Sequence, residues 1–376
     1  MVPSTPAAFA AQLERHMAAL RDATVPAQRF DLAGLPFSEW RHALRARIAS
    51  ALGLPASWPA PATHLLGVEE EPWQETPHFR WRRVALRTEG ELLVPAFFLL
   101  PPAAALAEMG GRVPVTIACQ GHATDGMRVS LGLVSPETYE RSIVGGDRDF
   151  ALQAVRHGYA CLALEMRGFG ELRLPADQEK NANNSCAPLT SLANQVGRTP
   201  IGMRVWDVMA AVDYLSTLPE VDPQRIVLTG NSGGGTVTLY AGALEDRLAA
   251  LVPSCAFCTY GASIQSVSHC ACNYVPGASA LCDMSDLAGL AAPTPQLIVN
   301  GRDDRIFPLP GVQEAFARTR EIYGAAGAPD NVRLFIGDGG HRYYAAPVWP
   351  WLAMALNLPS AWAQPRYAAA PPPQED

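Results

Sequence analysis

Lysine is almost missing from this chain of 376 residues: Lys180 is the only one, and nearly all the positive charge is carried by arginine. A phosphate-binding G-x-x-x-x-G-K-[ST] loop is therefore excluded, since none surrounds that lysine. No apolar run approaches the roughly 18 residues that a membrane helix needs. A net charge of −7 and a sequence pI near 5.7 leave no basic stripe for nucleic acid. The first twenty residues carry Glu14, Arg15 and His16 within an amphipathic pattern, so they lack the apolar core of a signal peptide, and a cytoplasmic location is expected. Eight cysteines are too few over this length for a disulfide scaffold. Five of them fall between positions 255 and 282, but Cys255-x2-Cys258 followed by Cys270-x-Cys272 is an awkward spacing for a zinc knuckle. The expectation is buried, inert thiols with no metal and no cofactor.

What is present is a soluble composition, 48% hydrophobic and 17% charged, long enough for a large core. Residues 1–79 read as a helical, proline-punctuated extension packed on the main domain. Within it, Trp40, Leu44, Ile48 and Leu52 recur every four residues behind a capping Ser38 and stop at Gly53. Two strands, 80–86 and 91–99, then form a hairpin across Thr88-Glu89-Gly90. From 114 onward, buried-strand runs alternate with helical segments to about residue 364, which predicts a mostly parallel sheet with helices on both faces. Residues 365–376, rich in proline, are expected to be disordered. Two connections, 172–200 and 256–292, are too long for ordinary loops and are candidates for shaping a substrate pocket. The sequon Asn183-Asn184-Ser185 is taken as accidental.

The chemistry is concentrated at Gly230-Asn231-Ser232-Gly233-Gly234, directly after the apolar run 225–229. This fits a G-x-S-x-G elbow, in which a strand turns sharply into a helix and leaves a serine hydroxyl exposed. A serine at neutral pH needs a histidine to take its proton and a carboxylate to orient that histidine. His341, in Asp338-Gly339-Gly340-His341, lies just beyond the last predicted strand and is the only histidine C-terminal to the acid loop 300–308. His16, His42, His64, His78, His157 and His269 read as surface or structural residues. Asp303, Asp304 and Asp338 compete for the carboxylate. Asp304 is preferred because it stands three residues after Gly301 and four before Pro308, the usual position of the acid in such a loop. Backbone amides must also meet the developing oxyanion, at about 3 kcal/mol each. Gly233 and His122, the latter in Gln120-Gly121-His122-Ala123 after the first central strand, are the candidates.

These segments resemble the acetyl-xylan-esterase-like branch of the α/β-hydrolase superfamily, near dienelactone hydrolases and the catalytic domain of prolyl oligopeptidases. The likeness is carried by residues 40–45, Val94-Pro95-Ala96, Gln120-Gly121-His122, Met166-Arg167-Gly168-Phe169-Gly170-Glu171, the elbow, 272–277, the acid loop and Gly339-Gly340-His341. It implies an α/β-hydrolase fold and a cofactor-free serine carboxylesterase acting on a small ester, with short acyl groups such as acetyl. It also implies that Arg167 braces the loop beneath the site. Family members commonly carry His-Gly-His-Gly where this chain has Gln120-Gly121-His122-Ala123. The rival readings are a prolyl-oligopeptidase-like peptidase, for which 1–79 is too short to build a propeller, and a non-catalytic binding protein, which would have lost a triad residue. Monomer and homo-oligomer both remain open.

Overall fold

A computed structural model describes residues 6–55, 58 and 64–366. Among the described residues ten strands form one sheet: β1 Gly67–Glu70, β2 Gln74–Glu75, β3 Arg80–Glu89, β4 Leu92–Leu100, β5 Val113–Cys119, β6 Ala160–Leu164, β7 Val221–Asn231, β8 Leu248–Ser254, β9 Gln296–Gly301 and β10 Val332–Gly337. The strand order is β1-β3-β4-β6-β5-β7-β8-β9-β10, with β2 paired to β3. Pairing is antiparallel from β1 through β4 to β6 and parallel from β6 to β10. The central strands β5 and β6 are buried at every position, whereas β3 alternates buried and half-buried residues. Continuous apolar runs belong where helices cover both faces, and alternation belongs near an edge.

The expected parallel alternation is therefore present, with three differences. Strands β1 and β2 precede the hairpin and pair with β3; their short polar sequences give no strand period. The hairpin turns at Gly90 and Glu91, one to two residues later than expected, with Gly90 at φ +55°. The early helix runs Phe37–Leu52 with Pro36 at its cap position, so Ser38 lies inside the first turn and caps nothing. Its stripe of Trp40, Leu44, Ile48 and Leu52 is fully buried. Arg45 reaches Leu244 O at 2.9 Å and Asp246 at 2.8 Å, and Thr199 Oγ1 donates to Leu52 O at 3.0 Å, fixing this helix to the ends of the helices Gly233–Leu244 and Pro200–Thr217.

Of the expected disordered tail, residues 367–376 lie outside the described residues; Arg366 N donates to Arg156 O at 2.7 Å. Among the described residues no helix is long and apolar enough to cross a membrane.

Candidate active site

Strand β7 ends at Asn231, and the next residue holds a backbone few side chains tolerate: Ser232 has φ +55° and ψ −118°. Such strain persists only where the surroundings over-determine it. Ser232 N donates to Ser254 O on β8 at 2.8 Å, and Thr236 N returns to Ser232 O at 2.9 Å. The glycines around it answer a close approach. A Cβ on Gly234 would lie 1.8 Å from Cys119 O, and one on Gly121 would lie 2.8 Å from Asn231 O and 3.0 Å from Ser232 Cβ. The loop after β5 is thus pressed directly onto the elbow.

The strand order carries the second element of the site. Asp304 follows β9 and His341 follows β10, and these strands are parallel neighbours, so their C-terminal loops meet above the sheet edge. Asn300 Nδ2 ties the acid loop to Gly301 O at 3.0 Å and Phe307 O at 3.1 Å. Asp304 Oδ1 accepts from the amides of Ile306 at 2.8 Å and Phe307 at 3.2 Å, and its Oδ2 meets His341 Nδ1 at 2.8 Å. Burial alone would raise the Asp304 carboxyl, but the bond to His341 and the two amides hold it below the usual carboxylate range. Neither rival acid makes this contact. Asp338 is turned outward against Arg302 at 3.0 Å, and Asp303 is exposed. Arg148 Nη2 supports His341 through its carbonyl at 2.9 Å, and the Phe307 ring lies nearly parallel to the imidazole.

Ser232, His341 and the 120–123 loop share one cavity of about 470 Å³. Among the described residues, neither the Gly233 amide, at the free N-terminus of its helix, nor the His122 amide donates to a protein acceptor. All five expected site residues therefore converge at this end of the sheet. Arg167 is anchored as a brace would be: it donates to Asp207 at 2.7 and 2.8 Å and to Glu89 at 2.8 Å.

Much of the cavity wall comes from residues 124–148, a stretch that carries no motif. Of the two long connections, 172–200 supplies Asn181 and Asn183, whereas 256–292 does not line this cavity. Its contribution is instead to the back of His122. There the imidazole Nε2 sits 3.2 Å from Cys272 Sγ, and the ring packs on Phe169 at 4.6 Å. Burial opposes protonation of His122, but hydrogen bonds with Cys270 and Cys272 bring its pKa up to about 9. Arg204 was also missed. It is fully buried, donates to Arg167 O at 2.7 and 3.0 Å and to Cys186 Sγ at 3.4 Å, and stacks over Phe169 at 4.3 Å. The thiol of Cys255, beside Asp304 and His341, is pushed up to about 12 by burial.

Comparison with known proteins agrees with this geometry. Residues 137–274 match the family model for acetyl xylan esterase. YtaP of Bacillus subtilis (strain 168), a hydrolase in name, is 26% identical over 259 residues, covering 68% of this chain and 80% of its own. A Bacteroides fragilis structure named for acetyl xylan esterase superimposes with a TM-score of 0.67 at 17% identity, covering 85% of this chain and 80% of that one. The glucuronoyl esterase from Solibacter usitatus gives a TM-score of 0.62 at 15% identity over 87% of this chain and 94% of its own. At such identities the two structures speak for the fold. The chain has the α/β-hydrolase fold and resembles the acetyl xylan esterases.

Proposed function

We propose that the protein is a serine carboxylesterase acting on short-acyl esters of a polar alcohol. One observation carries the reading: a strained, half-buried serine and a histidine bonded at 2.8 Å to a buried aspartate line the same cavity. Ser232 Oγ attacks the acyl carbonyl as His341 Nε2 takes its proton. Asp304 fixes the tautomer that leaves Nε2 free and balances the imidazolium. The oxyanion accepts from the amides of Gly233 and His122, and the leaving alcohol takes the proton back from His341. Water, deprotonated by the same imidazole, then releases the acid from Ser232. No step needs a metal or cofactor.

The alcohol side is read from the wall. Thr124, Ser135, Arg141, Asn181 and Asn183 present hydroxyls, amides and a guanidinium to the cavity, the groups that recognise a hydroxyl-rich alcohol such as a sugar. The likeness of 137–274 to acetyl xylan esterases supports the same class. The test is a panel of p-nitrophenyl esters from acetate to palmitate, an acetylated xylo-oligosaccharide and a prolyl anilide. Turnover should be highest for the acetylated sugar and acetate, fall with chain length, and be absent for the anilide. Anilide cleavage exceeding ester cleavage would replace this reading with a peptidase.

A further inference from the structure

Behind the oxyanion loop, four soft donors from three separate segments converge. His122 belongs to the loop after β5, Cys186 opens the helix Cys186–Gln195, and Cys270 precedes the tight turn Ala271–Asn273 that contains Cys272. One ligand atom from each lies within 4.8 Å of all the others. Among the described residues the only other such group is Cys255 with Asp304 and His341, which is the triad with a neighbouring thiol. We propose that His122, Cys186, Cys270 and Cys272 form a Cys3His zinc site that clamps the oxyanion loop.

The donor set argues for the metal. Three thiolates and an imidazole are the ligands of a closed, structural zinc centre, and hard cations such as magnesium or calcium would want oxygen. Zinc bonds of about 2.3 Å to sulfur and 2.0 Å to nitrogen make a tetrahedron with edges of about 3.8 Å, so closing this group requires side-chain shifts of no more than about 1 Å.

Charge supplies a second, independent argument. Arg204 is 1% exposed, yet among the described residues it has no carboxylate partner; its bonds go to a backbone carbonyl and to Cys186 Sγ, and its Nη1 is left without a partner. A buried cation without an anion is expensive. Zinc with three thiolates carries one net negative charge, and Arg204 neutralises it while donating to a ligating sulfur, as outer-shell groups at metal sites do. Simple apolar packing of thiols leaves that guanidinium unmatched. A single disulfide among the three sulfurs would consume two and leave the third with the histidine.

The consequence is positional. His122 would bind the metal through Nε2, the atom that faces Cys272, while its backbone amide keeps no protein acceptor among the described residues. The site would tie the loop after β5 to both long connections, which explains why 256–292 packs behind the catalytic centre without lining the cavity. This reverses the sequence-based expectation of inert cysteines, because two of the four ligands lie outside the 255–282 cluster. Only the effect on turnover rests on the esterase reading.

The test is metal analysis of the whole protein purified without affinity-tag metals. One zinc per chain is expected, retained in Cys258→Ser and Cys282→Ser and lost in Cys186→Ser and Cys272→Ser. Should those two variants fail to fold, cobalt-exchanged wild type must show thiolate-to-cobalt charge transfer and the intense visible bands of a tetrahedral site. Chelation should lower Tm by several degrees, and it should lower kcat without raising KM. A metal-free protein whose thiols are all free, or one that carries a disulfide within the group by non-reducing mass mapping, overturns the site. Metal content is read without substrate, so this outcome is independent of whether the protein cleaves esters.

Discussion

Ser232 sits between two walls of different construction. On one side, Asp304 and His341 are 37 residues apart and come from loops that follow adjacent parallel strands, so a regular fold delivers them to each other. On the other side, His122 meets Cys272 across 150 residues, and Cys186 joins them from the long connection 172–200. The first wall is what an open parallel sheet offers to any chain that places the right side chains at strand ends. The second depends on two long connections that fold behind the loop after β5. The Asp304–His341 pair is therefore delivered by the sheet itself, whereas the packing behind His122 depends on the two long connections.

The largest effect expected from breaking this arrangement is at the elbow itself. Ser232→Ala should fold normally and lose about 10⁴-fold or more in kcat, with loss of fluorophosphonate labelling. Retained activity would remove the reason to compare the walls at all. On the triad side, Asp304→Asn should cost roughly 10³–10⁴-fold in kcat by releasing the wrong tautomer of His341. Asp303→Asn and Asp338→Asn should each stay within about tenfold of wild type, since neither side chain reaches the imidazole. An equal ranking of the three would move the acid elsewhere.

That contrast explains what could be read before the structure. The elbow, the acid loop and Gly-His are local strings whose spacing reflects one turn of chain each, and the sheet order follows from alternating apolar runs. The spacing in the acid loop also singled out Asp304, the carboxylate that meets His341. What could not be read was anything that depends on contacts between distant segments: the cavity wall from 124–148, the buried Arg204, and the convergence of His122 and Cys186 on two of the clustered cysteines. A wrong cap, Ser38, and the unannounced strands β1 and β2 have the same origin, since tertiary pairing overrides weak local signals there.

The oxyanion side can be probed without touching a ligand side chain. Gly121→Ala would set a Cβ 2.8 Å from Asn231 O, so the loop must retreat from the elbow. Turnover should fall about 10–100-fold with little change in KM, as for a displaced oxyanion donor. Unchanged kcat would mean that this loop does not supply the second amide.

The smallest effect concerns the N-terminal segment, which we propose acts as a packed extension of the catalytic domain. Asp213 on the helix Pro200–Thr217 accepts from the backbone amides of His64 and Leu65 and from Arg247 at 2.6 Å. Burial would raise its carboxyl, but the bonds to His64 and Arg247 bring it down to about 2. A depressed folded pKa means the stabilisation is present above the unfolded value near 3.8 and is lost as pH falls toward 2. Asp213→Asn should therefore lose roughly 1–2 kcal/mol at neutral pH. The difference from wild type should shrink below pH 4, as followed by thermal melts across that range. A pH-independent difference would assign the loss to packing instead.

The most direct measurement is acid quenching during turnover of a slow acetyl ester, followed by peptide mapping. An acyl-enzyme mechanism predicts a substrate-dependent acetyl group on the peptide between Arg225 and Arg247, located at Ser232 and absent from Ser232→Ala. Turnover in the same sample with no adduct at Ser232, or with the acetyl group on another side chain, would contradict the account.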